Sequence, residues 1–197
     1  MSTSQPPTGE DSRSRLLRAA AGAFAQRGFH GTTTRDIAAA AGMSPAAVYV
    51  HHRSKEELLY QISRSGHERT LLLLREAVAR GGSTVEQLCN AVREFARHHA
   101  MESTSARVVN YELAALTPAH WAEVRELRRQ ISNEVHVLVE RGVADGSFDC
   151  PQPRIAATAL LSLGVDIARW YSTEGPSSPE ELADAYVDIA LRIVGAS

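Results

Sequence analysis

Apolar residues recur along this chain at intervals of three and four, and strand-like alternation never lasts more than a few positions. Leu16, Leu17, Ala20, Ala21, Phe24 and Ala25 define one helix face, which stops near Gly28. A second helix starts at Thr33, with Asp36 placed three residues on as a capping-box partner, and ends at Gly42. Ser44 followed by Pro45 predicts an N-cap with proline in the first turn of a short third helix. Ser54 with Glu57 opens a fourth helix over 55–80, roughly 40 Å long at the usual rise per residue. Leu59, Ile62, Gly66, Thr70, Leu73 and Ala77 keep its apolar face, and Gly81-Gly82 breaks it.

Ser83 with Glu86 caps a fifth helix, to about His99. A sixth covers about 104–116, and Thr117-Pro118 opens a long seventh to about Ala144. Residues 154–173 and 180–194 form the last two, the second opened by Ser178-Pro179 with Glu181. The fold class is all-α, with about nine helices. The polar, Pro-containing stretch 1–10 is expected to be a disordered arm. Behind it come a helix-turn-helix unit at 11–55, a connecting helix at 56–82 and a second helical domain at 83–197.

The informative stretch runs from Thr33 to Lys55. Gly42 permits the left-handed backbone that turns one helix steeply onto the next, and the alanines at 38, 39 and 41 let the two approach closely. Spacing alone leaves two options open, two core helices joined by a glycine turn or a DNA-binding helix-turn-helix.

Charge and composition narrow the field. The chain has 197 residues and a net charge of −2, yet residues 1–60 balance to +2 and the remainder to −4. A mildly basic front and an acidic back suit a DNA-facing unit joined to one that avoids DNA. No run resembles a membrane span or a secretory signal, and Cys89 and Cys150 stand far apart without metal-ligand spacing. A cytoplasmic protein without metal or cofactor is expected. Motifs of hydrolases, zinc peptidases and P-loop enzymes are lacking, and Glu94–His98 and Glu134–His136 do not have the spacing of a di-iron bundle.

The stretch from Gly28 to Leu58 resembles the N-terminal domain of the tetracycline-repressor (TetR) family of regulators. The resemblance extends from Leu16 to Leu59 and rests on several independent positions. They are Gly28-Phe29, the Thr pair before Ile37-Ala38, Ala41-Gly42-Met43-Ser44, Val48-Tyr49 with His51, and Lys55-Glu56 with Leu58. His52 departs from it, standing where the family usually has phenylalanine under helix 3. The resemblance implies a double-stranded DNA operator contacted by Thr33, Thr34, Arg35, Ser44, Pro45, Ala46, Ala47, Tyr49, His51 and Lys55. Of these, Tyr49, His51 and Lys55 are expected to grip phosphates. The alanines offer only methyl contacts, and Arg35 either forks onto a guanine or clamps a phosphate.

The second domain resembles the family's regulatory domain by helical layout. Both closing helices are apolar on more than one side, which implies a homodimer through 154–173 and 180–194, unless both faces are covered within the chain. Phe95, Asn110, Tyr111, Trp121, Arg125 and Trp170 are the candidate walls and anchors of a small-molecule effector site, with Arg128 and Arg129 as further cations. Arg169-Trp170-Tyr171 and the Gly-Pro-rich segment after it resemble a subgroup that includes regulators of fatty-acid and steroid breakdown, which implies an acyl-CoA-like effector. Gly66 is either a flex point of the connecting helix or a site of close packing.

Overall fold

The computed structural model describes residues 9–196, and within them nine α-helices and a short 3-10 turn follow one another without a β-strand. The helices are α1 (Gly9–Arg27), α2 (Thr34–Ala40), α3 (Pro45–His51), α4 (Lys55–Ala79) and α5 (Thr84–Met101). They continue as α6 (Ser103–Tyr111), α7 (Pro118–Ala144), α8 (Pro153–Trp170) and α9 (Pro179–Val194). Residues 1–8 of the expected arm lie outside the described residues, and Gly9 already belongs to α1.

The capping chemistry explains most of the boundaries. Thr33, Ser83 and Ser178 each close a full capping box with Asp36, Glu86 and Glu181. Ser54 caps α4 by accepting from the Glu57 amide, but the Glu57 carboxylate accepts from the backbone N–H of Arg53 instead of Ser54. That box is therefore half formed, because the carboxylate reaches one residue further back. The sixth helix is shorter than the expected 104–116. It stops at Tyr111, and Leu113–Ala115 tighten into the 3-10 turn before Thr117 caps α7. The eighth stops at Trp170, ahead of the Gly-Pro-rich loop, so residues 171–173 are not helical.

Two larger cores divide the molecule. One gathers Leu16, Phe24, Ile37, Val48, Leu58 and Leu59 from α1–α4, and it also includes Val108 and Val109 of α6 and Val124 of α7. The other packs Leu74, Leu88, Ile131, Leu138, Leu160 and Val194 from α4, α5 and α7–α9. Helix α4 contributes to both, with its first turns in one core and its last in the other. Gly66 lies midway along it. A Cβ there would come within 2.6 Å of the Val109 side chain, so the residue serves close packing of α4 on α6.

Candidate nucleic-acid interface and effector cavity

At the turn between α2 and α3, Gly42 takes φ +66°, and the Met43 amide reaches back to the Ala38 carbonyl at 2.9 Å. The Ser44 hydroxyl accepts from the Ala47 amide, and Val48 is fully buried as the residue that fixes α3 on the core. Everything else on α3 faces outward. Pro45, Ala46, Tyr49 and Val50 are exposed and Ala47 and His51 are half-buried. Tyr49 is 58% exposed, and its hydroxyl lies 3.3 Å from that of Thr34, tying the outer face of α3 to the start of α2. Thr33 and Arg35 are exposed beside it, and the Arg35 guanidinium has no hydrogen bond or ion pair among the described residues. The Thr34–Tyr49 contact thus joins the sequence-predicted residues of α2 to those of α3.

Lys55 sits differently from the other members. Its ammonium donates to the carbonyls of Phe29 and Thr32, both at 2.7 Å, and lies 4.1 Å from the centre of the Phe29 ring. The turn after α1 leaves these carbonyls without helical partners, and a cation satisfies them well. One of its three N–H groups remains for a phosphate.

His52 fills the place under α3. It is 2% exposed, and neither ring nitrogen has a hydrogen-bond partner among the described residues. Burial, and then the nearby Arg13, hold its pKa below the ordinary histidine value, while Glu57 opposes the shift.

The second site is a partly open cavity of about 570 Å³ lined by residues of α4–α8. Phe95, Val109, Ile131, Leu161 and Val165 supply its apolar wall. Thr70, Ser132, Asn110, His67, His99 and Arg128 supply polar groups. His67 and His99 each use Nδ1 against a backbone carbonyl, of Ser63 and Phe95 respectively, and burial pushes both imidazoles down to about 4. The Arg128 Nη1 donates to Nε2 of His67 and to Oδ1 of Asn110, both at 3.3 Å. Gly164 of α8 meets the Phe95 ring so closely that a Cβ would lie 2.5 Å from it.

Of the expected effector residues, the structure brings Phe95 and Asn110 to this cavity, together with Arg128 of the further cations, and leaves Tyr111, Trp121, Arg125, Trp170 and the exposed Arg129 outside. Tyr111 is one helical step beyond Asn110, so it faces outward, 45% exposed, with its hydroxyl on Asp166. Trp121 lies in the first turn of α7, about 10 Å along the axis from Arg128, and is 36% exposed. Arg125 is exposed beside the buried Val124, and Trp170 ends α8 at 53% exposure. Aromatic character suggested walls, but angular position at Tyr111 and position along the helix axis at Trp121 and Trp170 left these residues outside. His67 escaped the sequence reading, although its position beside Gly66 on the apolar stripe of α4 was a usable signal.

Several bonds join the two sites. Glu112, just past α6, accepts from the Phe29 amide. Glu56 in the first turn of α4 accepts from the Thr117 amide and lies 2.8 Å from Nδ1 of His120, whose ring stacks on Tyr60. The arrangement is that of a DNA-binding regulator, in which a helix-turn-helix unit and a cavity-bearing helical unit share α4.

Comparison with known proteins places it more narrowly. Residues 16–62 match the bacterial regulatory proteins of the tetR family, and residues 81–194 match the tetracyclin repressor-like C-terminal domain. The chain belongs to the TetR family of transcriptional regulators, and is not an enzyme. It is 30% identical over 200 residues to the transcriptional repressor KstR2 of Mycolicibacterium smegmatis, covering 97% of this chain and 94% of that one. A tetR-family regulatory protein from Rhodococcus RHA1 has the same fold, with TM-score 0.89, 38% identity and coverage of 94% and 98%. AibR, solved with isovaleryl coenzyme A and operator DNA, superposes with TM-score 0.82 at 24% identity, covering 90% of this chain and 97% of that one. Among the described residues no helix is long and apolar enough to cross a membrane.

Proposed function

We propose that the protein is a ligand-responsive repressor in the cytoplasm, which holds a near-palindromic operator as a homodimer. A small apolar or acyl-CoA-like effector in the cavity releases it. The observation that carries this reading is that α4 runs from the DNA-facing surface to the cavity wall. Lys55 in its first turn meets the α1–α2 turn, while Gly66, His67 and Thr70 line the cavity. An effector that favours one pose of α4 changes the separation of the two recognition helices in the dimer, and so the affinity, without touching DNA. A filled interior would have favoured a regulator without an effector, and the open volume argues against that alternative.

The repressor reading is supported by the likeness to KstR2, and the effector class by the complex of AibR with isovaleryl coenzyme A. The dimer would use the outer faces of α8 and α9, where Ile155, Leu163, Trp170 and Ile189 are exposed. Thr33, Thr34, Arg35, Ser44–Ala47, Tyr49, His51 and Lys55 would meet the operator. The test is to capture bound fragments from sheared genomic DNA, footprint the shared sequence, and titrate the complex with acyl-CoA thioesters and apolar compounds. A protected near-palindrome released by one of these classes is the expected result. Protection that no compound reverses would remove the effector from the reading.

A further inference from the structure

Resting on the effector reading above, we infer that the ligand of this cavity is a monoanionic carboxylate with an apolar body, its carboxylate held by Arg128. The guanidinium is more than half withdrawn from solvent, yet no carboxylate lies within ion-pair distance of it among the described residues. Glu102 borders the same cavity, but it is exposed and does not pair with Arg128. Burying a cation without a counter-charge is costly, and burial alone lowers the affinity of Arg128 for its proton.

The hydrogen bonds show which edge of the group is free. Nη1 is engaged by His67 and Asn110, and both are neutral acceptors. Nε and Nη2 have no partner among the described residues, and this is the edge that receives a carboxylate through two parallel bonds. The number of charges selects among anions. His67 and His99 are neutral with Nδ1–H on backbone carbonyls, and Arg69, which also lines the cavity, is exposed, so among the described lining residues Arg128 is the one positive charge withdrawn from solvent. A carboxylate matches one charge, whereas the phosphates of a coenzyme A moiety need several. Phe95, Val109, Ile131 and Leu161 then cover the apolar body.

The test compares matched series on the intact protein by calorimetry. Octanoate, decanoate and dodecanoate are set against the corresponding alcohols and coenzyme A thioesters, with operator release measured on the same samples. The acids are expected to bind wild-type protein more tightly than the alcohols. Arg128→Gln is expected to weaken the acids about tenfold or more while leaving the alcohols unchanged. Its ligand-free melting temperature should stay level or rise, because the uncompensated charge is gone. Arg128→Lys, which keeps the charge without the fork, should fall between the two. Equal binding of acid and alcohol, absence of acid binding, or a melting temperature lowered by Arg128→Gln with acid affinity intact would each overturn the inference. Release of the operator by thioesters alone would overturn it and leave the ligand-responsive repressor standing. Indifference of operator binding to every compound would bring down both.

Discussion

The carboxylate of Glu112, one residue past the end of α6, accepts a hydrogen bond from the Phe29 amide at 3.0 Å. Its other oxygen lies beside Gly28, which ends α1 in the left-handed region at φ +69°. The N–H of Phe29 has left α1 and finds its acceptor 83 positions away in sequence. Helix α6 lines the cavity with Ala106, Val109 and Asn110, so this bond joins the cavity wall to the DNA-binding unit. Glu112→Ala is expected to lower stability by about 1–3 kcal/mol, and Glu112→Gln by less, since the amide oxygen still accepts. Urea denaturation of the two variants checks the difference.

Lys55→Met should be felt twice. Two carbonyls of the α1–α2 turn lose a charged donor, which is expected to cost about 1–3 kcal/mol in denaturant midpoint analysis. In the proposed operator complex the remaining N–H is expected to meet a phosphate, so the slope of log affinity against log salt should fall by about 1 per protomer. An unchanged salt slope with reduced stability would mark Lys55 as an internal anchor alone.

Arg35 is expected to read a base. With the guanidinium exposed at the start of α2, Arg35→Ala should relax the preference at one base pair in each half-site. Selection of bound sequences from a randomised pool measures this. Weakening by the same factor on all sequences would make Arg35 a phosphate clamp.

His52→Phe should stabilise the protein by about 1 kcal/mol or more, because two buried ring nitrogens without partners are replaced by carbon. The pH dependence has a definite sign. His52, His67 and His99 all have folded pKa values depressed by burial, the last two to about 4. The unfolded chain therefore takes up protons first as pH falls through the ordinary histidine value near 6.5. Stability is full above that value and declines from there toward pH 4. Urea midpoints measured between pH 7 and pH 5 should fall steadily, and less steeply in His52→Phe.

Leu163→Glu places a charge on the exposed apolar face of α8 without entering the chain's own core, since Leu163 is 40% exposed. Sedimentation should show a monomer, with operator affinity reduced and the helical content retained. A dimer that survives this change would place the interface elsewhere.

Much of the fold was legible because its signals are local. Thr33 with Asp36, Ser83 with Glu86 and Ser178 with Glu181 each satisfy helix-end amides within four residues, and the expected starts of those helices hold. The same holds for Gly42, whose left-handed turn is a property of one residue. The exposed surface of Thr33, Arg35 and Tyr49 followed from this turn and from the burial of Val48.

The cavity was legible only in part, because it depends on which side of each helix meets its neighbours. Periodicity gives a helix its apolar stripe, but Asn110 and Tyr111 are adjacent in sequence and only one of them faces inward. By itself the sequence determined the helices, their caps and the turn that presents α3, since a few bonds between near neighbours suffice for these. Only the tertiary structure decided where the charges went. Lys55 turns to the carbonyls of another segment, Glu112 crosses to Phe29, and Arg128 is held by His67 and Asn110 with no carboxylate paired to it among the described residues. Each of these rests on partners at least eighteen positions away, brought together by the burial of apolar faces and not by anything in the local sequence.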